Sequence, residues 1–135
     1  MEPGDVLADL TEISSQIESA VLFDASGAVS AATHADEPRA TALARAALDL
    51  FAAAATLRSG GSGVARVEAT LPEGSLVAVR DGDRLIAATT TPEPTSALVV
   101  YDLRTALRRS ASEPTKKPPR RRTAKTRGQA DDVAP

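Results

Sequence analysis

Apolar residues recur along this chain at two spacings, and the changes from one to the other predict its elements. Val6, Leu7, Leu10, Ile13 and Ile17 keep helical spacing, so a first amphipathic helix is expected to end near Gln16. Pro3 suits its first turn, and Asp5, Asp9 and Glu12 lie toward the positive end of its dipole. Ala20-Val21-Leu22-Phe23 is a short apolar run that enters the turn signature Asp24-Ala25-Ser26-Gly27, with Ala28 to Ala31 returning behind it as a β-hairpin.

From Glu37 to Arg58 the chain is alanine-rich and predicts the longest helix, because alanine and the long aliphatics have the lowest helical cost. Asp36 can cap it and Pro38 falls in its first turn. On a helical wheel Ala40, Leu43, Ala47, Leu50, Ala54 and Leu57 form one apolar stripe, and Ala44, Leu48, Phe51 and Ala55 form a second beside it. One stripe is enough to pack on a sheet. The second is expected to face a partner, the alternative being a helix buried deeply within a monomer; Arg45, Asp49 and Thr56 hold the polar side.

Ser59-Gly60-Gly61-Ser62-Gly63 stops this helix. It lacks the Gly-Lys-Ser/Thr ending of a phosphate-binding loop, and it follows a helix where that motif follows a strand. A three-stranded meander comes next. Val64 to Leu71 alternates, with Ala65, Val67, Ala69 and Leu71 on one face and Val64, Arg66, Glu68 and Thr70 on the other. Pro72-Glu73-Gly74 turns the chain into Ser75 to Arg80, and Asp81-Gly82 turns it again into Arg84 to Thr90. Pro92 to Ser96 opens a last helix, with Leu98, Val99, Tyr101, Asp102, Leu103 and Leu107 on its inner side and Arg104, Arg108 and Arg109 near its negative end. The fold class is α+β: a five-stranded antiparallel sheet flanked by helices, in the order α-β-β-α-β-β-β-α.

Charge divides the chain in two. The net charge is −2, but residues 1–110 hold nine Arg, no Lys and fifteen acids, for −6, whereas residues 111–135 hold seven cations and three acids, for +4. Residues 1–110 are therefore read as one folded domain and 111–135 as a disordered basic tail that lacks the apolar residues to offset its chain entropy. Its cations, Lys116, Lys117, Arg120, Arg121, Arg122, Lys125 and Arg127, form an electrostatic segment suited to nucleic acid, an anionic membrane or an acidic protein surface. Without an aromatic residue to stack on bases, any nucleic-acid binding by it is expected to be weak and salt-sensitive. The plain alternative is a solubilising tail attracted to its own acidic domain.

Catalytic chemistry has few carriers here. The chain has no Cys and one His, His34, set among Ala, Thr and Asp where a solvated loop residue is expected. No catalytic residue, cofactor or metal site is therefore expected. Neither a signal peptide nor an apolar run of membrane-spanning length is evident, so a cytoplasmic protein without a transmembrane segment is expected.

The hairpin Ala20-Val21-Leu22-Phe23-Asp24-Ala25-Ser26-Gly27, the alanine-rich second helix, and the later Glu73-Gly74-Ser75-Leu76-Val77 and Asp81-Gly82-Asp83-Arg84-Leu85 resemble the roadblock family of dynein-light-chain-related proteins. The resemblance covers about residues 5–109. It implies a profilin-like sheet and a homodimer or paralogous heterodimer made by edge-to-edge pairing of third strands and packing of second helices. On this chain it implies an interface of Ala44, Leu48, Phe51, Ala55, Val64, Arg66, Glu68 and Thr70. For bacterial relatives it also implies a non-enzymatic regulator or scaffold for a Ras-like small GTPase, whose contact would fall on Thr41, Arg45, Asp49 and Thr56. Arg39, Arg45 and Arg58 are the local candidates for an arginine finger, against the plainer reading of solubilising charges.

Overall fold

The computed structural model describes residues 2–33, 37–57 and 65–111. The expectations for His34, the Asp36 cap, Arg58, the Ser59–Gly63 loop, Val64 and the basic segment from Lys116 to Arg127 lie outside the described residues. The elements follow in the expected order: α1 (Pro3–Ile13), β1 (Ile17–Asp24), β2 (Val29–Ala32), α2 (Glu37–Ala55), β3 (Arg66–Leu71), β4 (Gly74–Asp81), β5 (Arg84–Thr90) and α3 (Ser96–Ala111). The strands form one antiparallel sheet in the order β2-β1-β5-β4-β3.

Helices cover both faces of that sheet. Val6, Leu7 and Leu10 of α1 and Val99, Leu103 and Leu107 of α3 pack on Leu22, Val77, Val79, Ile86 and Ala88. On the opposite face Ala44, Ala47 and Phe51 of α2 pack on Val21, Phe23, Ala78, Leu85 and Ala87. Strands β1, β4 and β5 are thus buried on two sides, which is why they read as apolar runs while β3 alternates.

Helix α1 is shorter than its spacing suggested. It closes at Ile13 with the Ser14 N–H donating to the Leu10 carbonyl, and Ile17 opens β1 instead of continuing the helix. Ile17 is still buried against the same core, because an irregularity in pairing between Ile17 and Ser19 puts Ile17 and Ala20 on one face. A β-branched residue that pairs with Thr90 while keeping its burial satisfies strand and core together. The return strand β2 is shifted one residue, to Val29–Ala32. On α3 the inner face is Val99, Val100, Leu103, Ala106 and Leu107, and the expected Leu98 and Tyr101 point outward. Both lie around the helix from the row over the sheet, and the tyrosine hydroxyl favours water.

Polar ties fix the helix ends. Arg109 Nη2 donates to Asp9 Oδ2 at 2.8 Å, Arg84 Nη2 to Ser110 Oγ at 2.7 Å, and Thr95 N to Gln16 Oε1 at 2.5 Å. The first and third hold α3 antiparallel to α1, and the second ties its end to β5. In the β1–β2 turn Asp24 Oδ1 accepts from Ser26 N at 2.9 Å, Ser26 Oγ at 2.6 Å and Ala28 N at 3.1 Å, while Gly27 takes the positive φ of 93° that closes the turn. The Ser26 side chain and then the Ala28 backbone hold the Asp24 carboxyl below its usual range. At the start of β4, Gly74 has φ 148°, and a Cβ there would stand 2.0 Å from the Thr90 carbonyl oxygen.

Two outcomes are expected. Gly74→Ala must move backbone at the β4–β5 contact and should lower stability by roughly 2–4 kcal/mol in urea denaturation. Asp24 titrates lower folded than unfolded, so the stability it contributes is present above about pH 4 and lost as pH falls through the folded value. Asp24→Asn should flatten that acid limb of the stability profile.

Candidate interaction surface

Helix α2 is apolar around most of its circumference, so its rotation on the sheet decides which residues remain for anything else. Phe51 sets that rotation. It is the largest side chain on the helix, and burying its ring removes more apolar area from water than any other choice of face. Ala44 at 1%, Ala47 at 0% and Phe51 at 4% exposure therefore face the sheet, flanked by partly buried Ala40, Leu43 and Leu48.

The sheet contact draws on both stripes: Ala40, Leu43 and Ala47 of the first face the sheet as expected, but so do residues of the second. Ala44 and Phe51, anticipated at a partner interface, belong to the chain's own core, and Leu48 packs against it with Ala55 half-buried behind. From the stripe anticipated on the sheet, Leu50 is half-exposed and Leu57 is 78% exposed. The sequence pattern could not orient a helix with apolar residues on nearly every side; the size of Phe51 could have.

The outward side carries two neighbouring strips. Thr41, Arg45, Asp49 and Thr56, anticipated as a GTPase contact, are all exposed and fall along one strip with Ala52. Thr56 donates its hydroxyl to the Ala53 carbonyl at 2.7 Å, just past the end of the helix. Beside them runs a strip that sequence reasoning missed: Ala42, Ala46, Leu50, Ala53 and Leu57, exposed or half-exposed. Its signal was present as apolar positions at i, i+4, i+8, i+11 and i+15.

Strand β3 is the second component. It lies at the sheet edge and pairs with β4 from Arg66↔Val79 to Leu71↔Gly74. Arg80 N donates to the Ala65 carbonyl at 2.8 Å. Because antiparallel residues alternate between bonding the neighbour and bonding away from it, Val67, Ala69 and Leu71 turn their backbone groups to β4. The amides of Arg66, Glu68 and Thr70 then point away from β4, to an edge on which no strand among the described residues pairs. Their side chains lie on the α3 face of the sheet, where Glu68 Oε2 accepts from Ser96 Oγ at 2.8 Å, while Val67 packs toward α2. These are the anticipated pairing residues apart from Val64. Among the described residues, no group of three or more His, Cys, Asp or Glu is placed to hold a metal ion, and no helix is long and apolar enough to cross a membrane.

Solved structures share this arrangement. A roadblock/LC7 domain from Streptomyces avermitilis superposes with TM-score 0.73 at 19% identity, covering 83% of this chain and 97% of its own. This is the roadblock/LC7 fold. MglB from Myxococcus xanthus shares the fold at TM-score 0.68 and 16% identity, covering 87% of this chain and 92% of its own. Profilin II from Acanthamoeba castellanii, at TM-score 0.58 and 11% identity, covers 81% of this chain and 97% of its own, so the profilin-like description of the roadblock sheet holds. No protein-family model matches the chain, and no curated protein is significantly similar to it.

The rotation of α2 has a direct check. Phe51→Ala should cost about 3–5 kcal/mol in chemical denaturation, as removal of a core aromatic does, whereas Ala52→Ser on the exposed side should change stability by about 0.5 kcal/mol or less.

Proposed function

We propose that this chain is a dimeric, non-enzymatic interaction module of roadblock type that regulates or scaffolds a Ras-like small GTPase system, with a second copy or a paralogue as its dimer partner. The observation that carries the reading is the pairing of two unsatisfied surfaces: an open β3 edge and an outward apolar strip on α2, the helix that packs against that strand. An open edge offers unpaired backbone groups to another strand. Small residues at Ala42, Ala46 and Ala53 let a second helix backbone approach closely, and the exposed apolar area there favours association.

The dimer interface of this proposal differs from the one expected at first. Arg66, Glu68 and Thr70 remain in it through their outward amides. Ala42, Ala46, Leu50 and Ala53 take the place of Ala44 and Phe51. The neighbouring strip of Thr41, Arg45, Asp49 and Thr56 is left for the GTPase, in keeping with the roadblock resemblance. Its arginine is read as a docking charge, since arginines are ordinary on an exposed helix surface.

The experiment is sedimentation velocity on the full chain. The wild type should run as a dimer at micromolar concentration, and Ala46→Arg combined with Ala53→Arg should run as a folded monomer, because two like charges would meet across the interface. Arg45→Glu should leave the dimer intact while a small GTPase identified in wild-type pull-downs is lost. A wild-type chain that stays monomeric to hundreds of micromolar would reject the reading.

A further inference from the structure

Pairing between two copies of β3 is restricted to a few registers by the bonds the strand already makes. Val67, Ala69 and Leu71 turn their backbone groups to β4, so a second strand can bond only at Arg66, Glu68 and Thr70. A two-fold axis that brings both α2 helices to one face of the joined sheet makes the two strands antiparallel. Bonding positions must then stand opposite bonding positions, since a slip of one residue sets them against positions already bonded to β4. The axis therefore passes through a residue of the strand, from Arg66 to Thr70.

Side chains choose among these registers. Arg66 and Glu68 are both exposed, on the face where Ser96, Ala97 and Val100 of α3 stand beside them. An axis at Arg66 sets it against the partner's Arg66, and an axis at Glu68 sets two carboxylates face to face; like charges directly opposed weaken a strand pair. An axis at Ala69 places Arg66 opposite the partner's Pro72, and one at Thr70 places Glu68 there, where proline has no amide to give. An axis at Val67 sets Arg66 opposite the partner's Glu68 and Glu68 opposite the partner's Arg66. Two acid–base pairs then form at once, as symmetry requires. Glu68 Oε2 accepts from Ser96 Oγ at 2.8 Å, which leaves Oε1 for the guanidinium. On the α2 face Val67 meets the partner's Val67, with Ala65 opposite Ala69 on either side.

We infer that β3 selects a second copy of this chain, in the register whose two-fold axis passes through Val67, by reciprocal Arg66–Glu68 pairs. This rests on the dimer proposed above and names its partner and register. The order cation, apolar residue, anion is self-complementary about its own centre. A paralogue without that order leaves Arg66 or Glu68 opposite a residue that cannot pair with it.

The test is sedimentation velocity on charge variants of the full chain, with the wild type as reference. Arg66→Glu sets acids against acids and Glu68→Arg sets cations against cations, so each should weaken self-association roughly tenfold or more. Mixing these two variants in equal amounts should restore the dimer, as should the double variant Arg66→Glu with Glu68→Arg, because both rebuild the two pairs. Arg108→Glu, the same change of charge on the exposed side of α3, should leave the dimer as in the wild type. The chain has no cysteine, so Val67→Cys alone reports the register. Residues on the axis form a non-hydrogen-bonded pair with Cα atoms about 4.5 Å apart, within disulfide reach. Val67→Cys should therefore cross-link on mild oxidation, and Ala69→Cys should not. A monomeric wild type rejects the dimer and this register with it. A wild-type dimer whose affinity survives Arg66→Glu, which fails to re-form when the variants are mixed, or which cross-links through Ala69→Cys instead, rejects the register alone.

Discussion

The centres of strands β1 and β5 are buried on both faces, and the rest of the molecule follows from that. Alternate residues of the pair enter two different cores: Leu22, Ile86 and Ala88 beneath α1 and α3, and Val21, Leu85 and Ala87 beneath α2. A sheet centre this apolar is stable only when both sides are covered, so helices on one side alone would leave an exposed patch. The two outer strands need not share the constraint. Strand β2 is short and largely exposed, and β3 alternates with charged residues on one face, so both edges remain available while the centre is closed.

Alanine is what makes α2 both a cover and a surface. It secures the helix without requiring a particular face, and one aromatic, Phe51, then fixes the rotation. The same economy of side chain has two results. Between the first turns of the helix and the strands a cleft is left, and on the outer side a strip of small residues stands exposed near the edge strand β3. A bulkier helix would pack more tightly and leave neither.

Much of this was legible in the sequence because local signals and global arrangement agree. Asp24 to Gly27, Gly74 and Asp81-Gly82 marked the hairpins, and the change from threefold-fourfold to twofold apolar spacing marked the elements. The losses occurred where one pattern fits two structures. Ile17 continues the spacing of α1 and is also a strand residue; the core accepts it as the latter without losing its burial. On α2 and α3 periodicity gave an apolar arc wider than the contact, and only side-chain size and the neighbouring layer choose the buried part. The cleft was not legible at all, since Ser19, Thr33, Arg39 and Thr89 are brought together by strand pairing and helix placement across seventy residues.

The most direct test of the account is amide hydrogen exchange along β3, measured on the full chain at several concentrations. Val67, Ala69 and Leu71 bond β4 and should be protected throughout. The amides of Arg66, Glu68 and Thr70 point away from it and should be fast in dilute monomer, then slow together as concentration rises and a second copy pairs on the edge. If those three remain fast at concentrations where the chain is dimeric, the edge is not the interface and the central claim fails.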